Sequence, residues 1–152
     1  MSAIASFIKV PALVLEGLRH AAVGGSDHDF LIANGREVAE YQWSGYVLAT
    51  LLPYLQEKHQ IDLMESEYNE LAAFLTNTTG ATHFIFTPGH RTAFLNRLEP
   101  ALFSEEEMRQ YFNEFNATSE QEMGRAMLDG VNALHQSLLR IEEGSVVVFN
   151  IA

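Results

Sequence analysis

The segment Ser145–Ile151, SVVVFNI, decides the fold of this chain. Five of its seven residues are apolar, and they follow one another instead of alternating with polar residues. A strand with one face in water alternates, whereas a strand that is covered on both faces reads as a nearly continuous apolar run. The segment therefore predicts a central strand with both of its faces covered.

Two further segments are rich in the β-branched and aromatic residues that are typical of strands. They are residues 3–9, AIASFIK, and residues 82–87, THFIFT. Elsewhere, apolar residues recur at spacings of three and four, which predicts helices. One predicted helix ends at Gly80. Another is capped by Ser104 and runs to Phe115, and residues 114–120, EFNATSE, form a break after it. The longest predicted helix directly precedes the last strand. Its apolar stripe consists of Met123, Met127, Val131, Leu134, Leu138 and Ile141.

Together these patterns predict an α+β fold and a single domain over residues 1–152, a usual length for one domain. We expect a small mixed sheet that contains the N-terminal, 82–87 and C-terminal strands, covered by five to seven helices. Pro11 suits the first turn of a helix, so a helix is expected to start at Val10-Pro11. Residues 30–41 leave two alternatives open. Asn34-Gly35 is typical of a hairpin turn, but residues 37–41 equally suit the lead into a helix.

The composition excludes several kinds of chemistry. The chain has no cysteine, so disulfides, thiolate metal sites and a cysteine nucleophile are excluded. Its nine Lys and Arg residues are scattered, which disfavours a nucleic acid or an anionic membrane as partner. No apolar run approaches a membrane span. The first ten residues have no basic leader, and Lys9 interrupts their apolar run. These features predict a cytoplasmic protein.

The chain carries twenty acidic residues and a formal net charge of −11. Such a charge favours solubility. It equally suits an acidic face that meets a basic protein, because complementary charge speeds the encounter of two partners. The sequence leaves both interpretations open, and it does not indicate the oligomeric state.

The segment Thr87-Pro88-Gly89-His90-Arg91 follows the predicted 82–87 strand. Thr87 suits the N-cap of a helix and Pro88 its first residue. A helix N-terminus also attracts anions through its free N–H groups and dipole, and His90 and Arg91 stand beside this one. The segment therefore predicts either a plain capped helix or a site for a carboxylate or phosphate.

Trp43 and Tyr46 flank a small Ser-Gly pair and are candidates to line a pocket or a protein interface. If they serve a small ligand, they should converge with Thr87, His90 and Arg91 on one surface. His83 and His90 are too far apart along the strand and turn to share a metal ion. No motif indicates a catalytic residue, a metal or a cofactor, and His83 is expected to be a partly buried residue that is hydrogen-bonded to backbone.

Four segments together resemble the YfbM-like family of uncharacterised bacterial proteins. They are MSAIASF, YQWSGYVLATLLPYL, GATHFIF and GRAMLDGVNALHQSL with SVVVFNI. The resemblance implies an α+β bacterial cytoplasmic domain, and it implies no activity, cofactor or site residue. The net charge of −11, the lack of a recognisable catalytic constellation and the single domain together predict a non-enzymatic protein-binding module, an inhibitor or immunity-type partner of a basic protein. The alternative is an enzyme or small-anion-binding domain that uses the helix N-terminus at Thr87–Arg91.

Overall fold

The structure, a computed structural model, describes residues 3–152 and has the predicted α+β architecture. One four-stranded sheet contains the N-terminal and C-terminal strands and the 82–86 strand. The strands are β1 (Ala5–Pro11), β2 (Arg36–Ala39), β3 (Thr82–Phe86) and β4 (Ser145–Ile151). The α-helices of the described chain are α1 (Leu15–Val23), α2 (Asp27–Asn34), α3 (Tyr46–His59), α4 (Asn69–Thr79), α5 (Pro88–Phe94), α6 (Glu105–Asn116) and α7 (Met123–Leu139).

The strand order β2-β1-β4-β3 places β4 inside the sheet, as its apolar run predicts. All seven residues of β4 are buried. Each strand pair is antiparallel, where a mixed sheet was expected. The chain leaves β3 at one end of the sheet and returns to that end through α7. At this end of the sheet, Arg91 of α5 donates to the carbonyl of Ile141, just after α7. Strand β4 starts beside the end of β3 and runs back along it.

Helices cover both faces of the sheet and create two apolar clusters. On one face, Phe7, Phe86 and Phe149 pack with α3, α6 and α7. On the other, Ile8, Ile85 and Val148 pack with α1, α2 and α4. Neighbouring residues of a strand point to opposite faces, so the unbroken apolar run of β4 supplies both clusters.

The segment 30–41 adopts neither of the two predicted conformations. Residues up to Asn34 belong to α2, whose first turn carries Asp27 and Asp29, where negative charge suits the helix dipole. Residues 36–39 then form the edge strand β2, which pairs with β1. Gly35 joins the two elements at a point where a Cβ would lie 2.5 Å from the carbonyl oxygen of Lys9. The close approach of two backbones therefore selects glycine here.

The predicted helix start at Pro11 is also wrong. The ladder between β1 and β4 extends to the pair Pro11–Ser145, so Pro11 is the last residue of β1. A 3-10 turn, Ala12–Val14, separates it from α1. Proline has no N–H to donate to a sheet, so it suits the end of a strand as well as the start of a helix. No helix within residues 3–152 is long and apolar enough to cross a membrane.

Candidate binding groove

The segment 87–91 forms the predicted capped helix start. The Thr87 hydroxyl oxygen accepts from the His90 N–H at 3.3 Å, and the Thr87 N–H donates to His90 Nδ1 at 3.1 Å. This is a reciprocal capping box, which satisfies two backbone groups at once. Pro88 has no N–H. Within the described chain, Gly89 is thus the one first-turn residue whose N–H has no partner.

The two cationic candidates of this segment are engaged by the fold. His90 is 6% exposed, and its Nε2–H donates to the carbonyl of Glu65 at 2.7 Å. Burial lowers the pKa of His90, so the neutral ring is favoured. Arg91 donates to the carbonyl of Ile141 at 2.7 Å. The candidate anion-binding groups therefore hold the β3–α5 corner to its neighbours, and α5 has only seven residues.

Trp43 and Tyr46 lie elsewhere. The Trp43 indole contacts Asp129 of α7, whereas Arg91 contacts the chain beyond the end of that helix, at Ile141. Asp129 and the last helical residue are ten positions apart, about 15 Å at 1.5 Å per residue. The structure does not bring the two sets of candidate residues into one pocket, because α7 separates their anchor points.

The residues Trp43 and Tyr46 line a groove between the start of α3 and the α6–α7 corner. The groove has a volume of about 570 Å³. Tyr46 is 62% exposed. Its lining residues are Trp43, Ser44, Tyr46, Val47, Phe112, Asn116, Thr118, Glu120 and Met123. Hence the groove is largely aromatic and apolar, with one carboxylate and no cationic residue in its lining.

One wall of the groove is set by the loop before α3. The Gly45 N–H donates to the carbonyl of Ala3 at 2.8 Å, which ties the loop to the sheet. A Cβ on Gly45 would lie only 3.0 Å from the Ile151 side chain. The Ser44 hydroxyl accepts from the Tyr46 N–H at 3.3 Å. A small residue at position 45 thus brings Trp43 and Tyr46 close to the sheet.

The indole of Trp43 is oriented by α7. Its Nε1–H donates to Asp129 Oδ2 at 2.9 Å, and Asp129 Oδ1 lies 3.2 Å from Arg125 Nε. Nearby, the Tyr41 hydroxyl donates to the carbonyl of Ala126 at 2.7 Å. Burial, together with the charge of Asp129, raises the pKa of Tyr41, so the hydroxyl remains a donor. The indole N–H therefore has its hydrogen-bond partner, and the ring lines the groove.

The opposite wall is built around Asn113. Its side-chain oxygen accepts from the Thr118 hydroxyl at 2.8 Å and from the Glu120 N–H at 2.9 Å, and its amide donates to the Glu120 carbonyl. Ala117 takes a left-handed conformation, with φ of 54°, and ends α6. The backbone of Glu120 is therefore held in place, while its exposed carboxylate has no hydrogen bond or ion pair within the described chain.

The segment that supplies the α6–α7 wall of this groove is acidic. Residues 105–129 contain seven carboxylates and two arginines. Arg109 pairs with Glu106, and Arg125 with Asp129. A segment of one sixth of the chain thus carries nearly half of its net charge. At the far end of β1, by contrast, Lys9 and Arg36 line a separate cleft.

The sequence predicted two of the groove residues and missed the rest. Met123 belongs to the predicted apolar stripe, yet it is only half-buried because it sits at the first turn of α7. Phe112 lies in a predicted helix, and nothing in the neighbouring sequence distinguished it from a core residue. Glu120 was part of a predicted break between helices. The feature of the sequence that could have indicated the groove was the aromatic content of residues 111–115, next to several carboxylates.

His83 is hydrogen-bonded to backbone, as predicted, but it is fully buried where partial burial was expected. Its Nδ1 lies 2.7 Å from the carbonyl of Ala81, so this nitrogen carries the proton. Among the described residues, Nε2 is buried without a hydrogen-bond partner. Burial lowers the pKa of His83. Within residues 3–152, no three His, Asp or Glu side chains are grouped so as to hold a metal ion.

Comparisons with known proteins found no match. No model of a protein family, no curated protein and no solved structure matches the chain. The resemblance to the YfbM-like family remains a prediction. Any function proposed for this chain therefore depends on the geometry and charge of the groove.

Proposed function

We propose that this protein is a non-enzymatic binding module whose groove docks a segment of a basic partner protein. The observation that carries the proposal is an aromatic groove whose α6–α7 wall comes from an acidic segment of the chain. Aromatic side chains dominate the energy of protein interfaces. Charge around the rim speeds the encounter and selects the partner.

Two features of the groove support protein binding over catalysis. Its single lining carboxylate, Glu120, has no neighbouring histidine or second acid in the lining that would form an acid–base pair. Its exposed ring, Tyr46, stands outside the core and offers apolar area that packing within the chain leaves uncovered. Such area, rimmed by polar groups, is typical of an interaction surface.

The test is a capture experiment with matched variants. Wild-type protein, Tyr46→Ser and Leu13→Ser are immobilised and exposed to a lysate of the source organism at low salt. Leu13 is 87% exposed and lies just beyond the C-terminal end of β1, whereas the groove lies near its N-terminal end. The Leu13 variant therefore removes exposed apolar surface far from the groove.

We expect a basic protein that wild type and Leu13→Ser retain, that Tyr46→Ser loses, and that a salt step elutes. The captured protein is then purified, and its binding is measured directly against the three immobilised proteins. Retention by all three, or binding that salt leaves unchanged, would show that the groove is not the docking surface.

A further inference from the structure

We infer that the groove recognises the guanidinium of an arginine on the partner, held between aromatic rings and paired with Glu120. The inference rests on the proposed function and names the side chain that the groove selects. Three aromatic residues, Trp43, Tyr46 and Phe112, line one concavity. The faces of aromatic rings attract cations, most strongly when the cation leaves water, and such attraction is the basis of aromatic cages.

The groove lacks a cation of its own. None of its lining residues is Lys or Arg, and the two nearest arginines in sequence already pair with carboxylates. Elsewhere in the protein, arginines do lie over half-buried rings. The Arg19 guanidinium lies 4.8 Å from the centre of the Phe74 ring, and that of Arg97 lies 5.7 Å from Phe94. Within the described chain, the groove rings have no such partner.

Glu120 provides the counter-charge. Its backbone N–H and carbonyl are fixed by Asn113, so the carboxylate is carried on an ordered loop at the groove wall. A carboxylate beside aromatic rings suits arginine better than lysine. The planar guanidinium stacks on a ring and also donates two parallel hydrogen bonds to a carboxylate, whereas an ammonium is a strongly hydrated point charge.

Trp43 makes the test direct, because it is the only tryptophan and lies in the groove wall. The full chain is titrated with N-acetyl-arginine amide, and Trp43 fluorescence is followed. The same titration is made with the lysine amide and with the citrulline amide, a neutral isostere of arginine. Two variants accompany wild type. Glu120→Gln removes the groove carboxylate, and Glu114→Gln removes an exposed carboxylate that does not line the groove.

We expect saturable binding of the arginine amide, and binding of the citrulline and lysine amides weaker by about fivefold or more. Glu120→Gln should weaken arginine binding by a similar factor, and Glu114→Gln should bind as wild type does. Equal binding of arginine and citrulline, or equal losses in both variants, would overturn the inference. In that event the capture experiment with Tyr46→Ser still decides the proposed function, because it depends on the groove and not on a particular side chain.

Discussion

Trp43 and Asp129, 86 residues apart in the chain, are joined by a hydrogen bond of 2.9 Å from the indole N–H to a carboxylate oxygen. The bond fixes the loop before α3 against α7 and turns one face of the indole toward the groove. Because Asp129 also pairs with Arg125, one carboxylate orders both a ring of the binding surface and a charge beside it.

Replacing Asp129 should therefore loosen the groove wall before it unfolds the protein. We expect Asp129→Ala to lower the free energy of unfolding by about 1 kcal/mol, the usual loss for one hydrogen bond. Trp43 emission should shift to longer wavelength, because the indole gains access to water. Asp129→Asn keeps an acceptor for the indole and serves as control. An unchanged Trp43 spectrum in Asp129→Ala would show that the bond does not order the ring.

Gly124 sets the distance between α6 and α7. A Cβ at this position would lie 2.3 Å from the carbonyl oxygen of Glu105, which is backbone and has little freedom to shift. We expect Gly124→Ala to lower the free energy of unfolding by about 1–3 kcal/mol, as overpacking does. The measurement is chemical denaturation.

The matched control is Gly24→Ala, at the end of α1. A Cβ there meets nothing closer than 3.7 Å, and the backbone conformation is open to other residues. Its stability should change little. If both alanine variants were equally stable, the close approach of α6 and α7 would not depend on a glycine.

Stability should fall as the solution is acidified below the ordinary pKa of histidine, about 6.5. His83 and His90 are buried, and burial lowers the pKa of each in the folded protein. The unfolded chain then binds more protons than the folded chain in this window, so protons favour unfolding. The slope is at most about 1.4 kcal/mol per pH unit for each histidine.

His83→Asn tests this assignment, because an asparagine amide can still donate to the Ala81 carbonyl but does not titrate near neutral pH. We expect the free energy of unfolding of this variant to depend less on pH than that of wild type between about pH 5 and 7.5, the range around the histidine pKa. His28→Asn, on the exposed surface of α2, should keep the wild-type dependence. An unchanged pH dependence in His83→Asn would assign the effect to other groups.

The caps at Thr87 and Ser104 should differ in their contribution to stability. Loss of an N-cap costs about 1 kcal/mol, with a range of roughly 0.5–2. Thr87→Ala removes one half of a buried capping box, so its cost should lie at the upper end. Ser104→Ala removes an exposed cap that accepts from the Glu107 N–H, and should cost less. Thermal unfolding of the two variants measures the difference.

Neither cap variant should change binding in the groove, because Thr87 lies beyond the far end of α7. A loss of partner binding in Thr87→Ala, at a temperature where the protein is folded, would return attention to the segment 87–91 as a site. This outcome would revive the anion-site alternative that the engaged His90 and Arg91 side chains disfavour.

Much of the secondary structure was predictable. The predicted stripe is buried from Met127 through Ile141, and α4 ends at Gly80, as predicted. The misread elements were those where one residue type suits two structures. Pro11 suits a strand end and a helix start alike, and Asn34-Gly35 suits a hairpin and a helix end alike. Only strand pairing separates these alternatives, because Pro11 pairs with Ser145 of β4 and the strand after Gly35 pairs with β1.

The sequence by itself determined the covered strand Ser145–Ile151, the helix caps at Thr87 and Ser104, and the excess of acidic over basic residues. Each of these depends on residues within a few positions of one another, so side-chain type and spacing are sufficient. Tertiary structure alone decided that Trp43 meets Asp129, that Phe112 and Met123 complete a groove, and that His90 faces inward. Those relations join residues tens of positions apart, and they depend on how helices cross over the sheet, which local pattern does not encode.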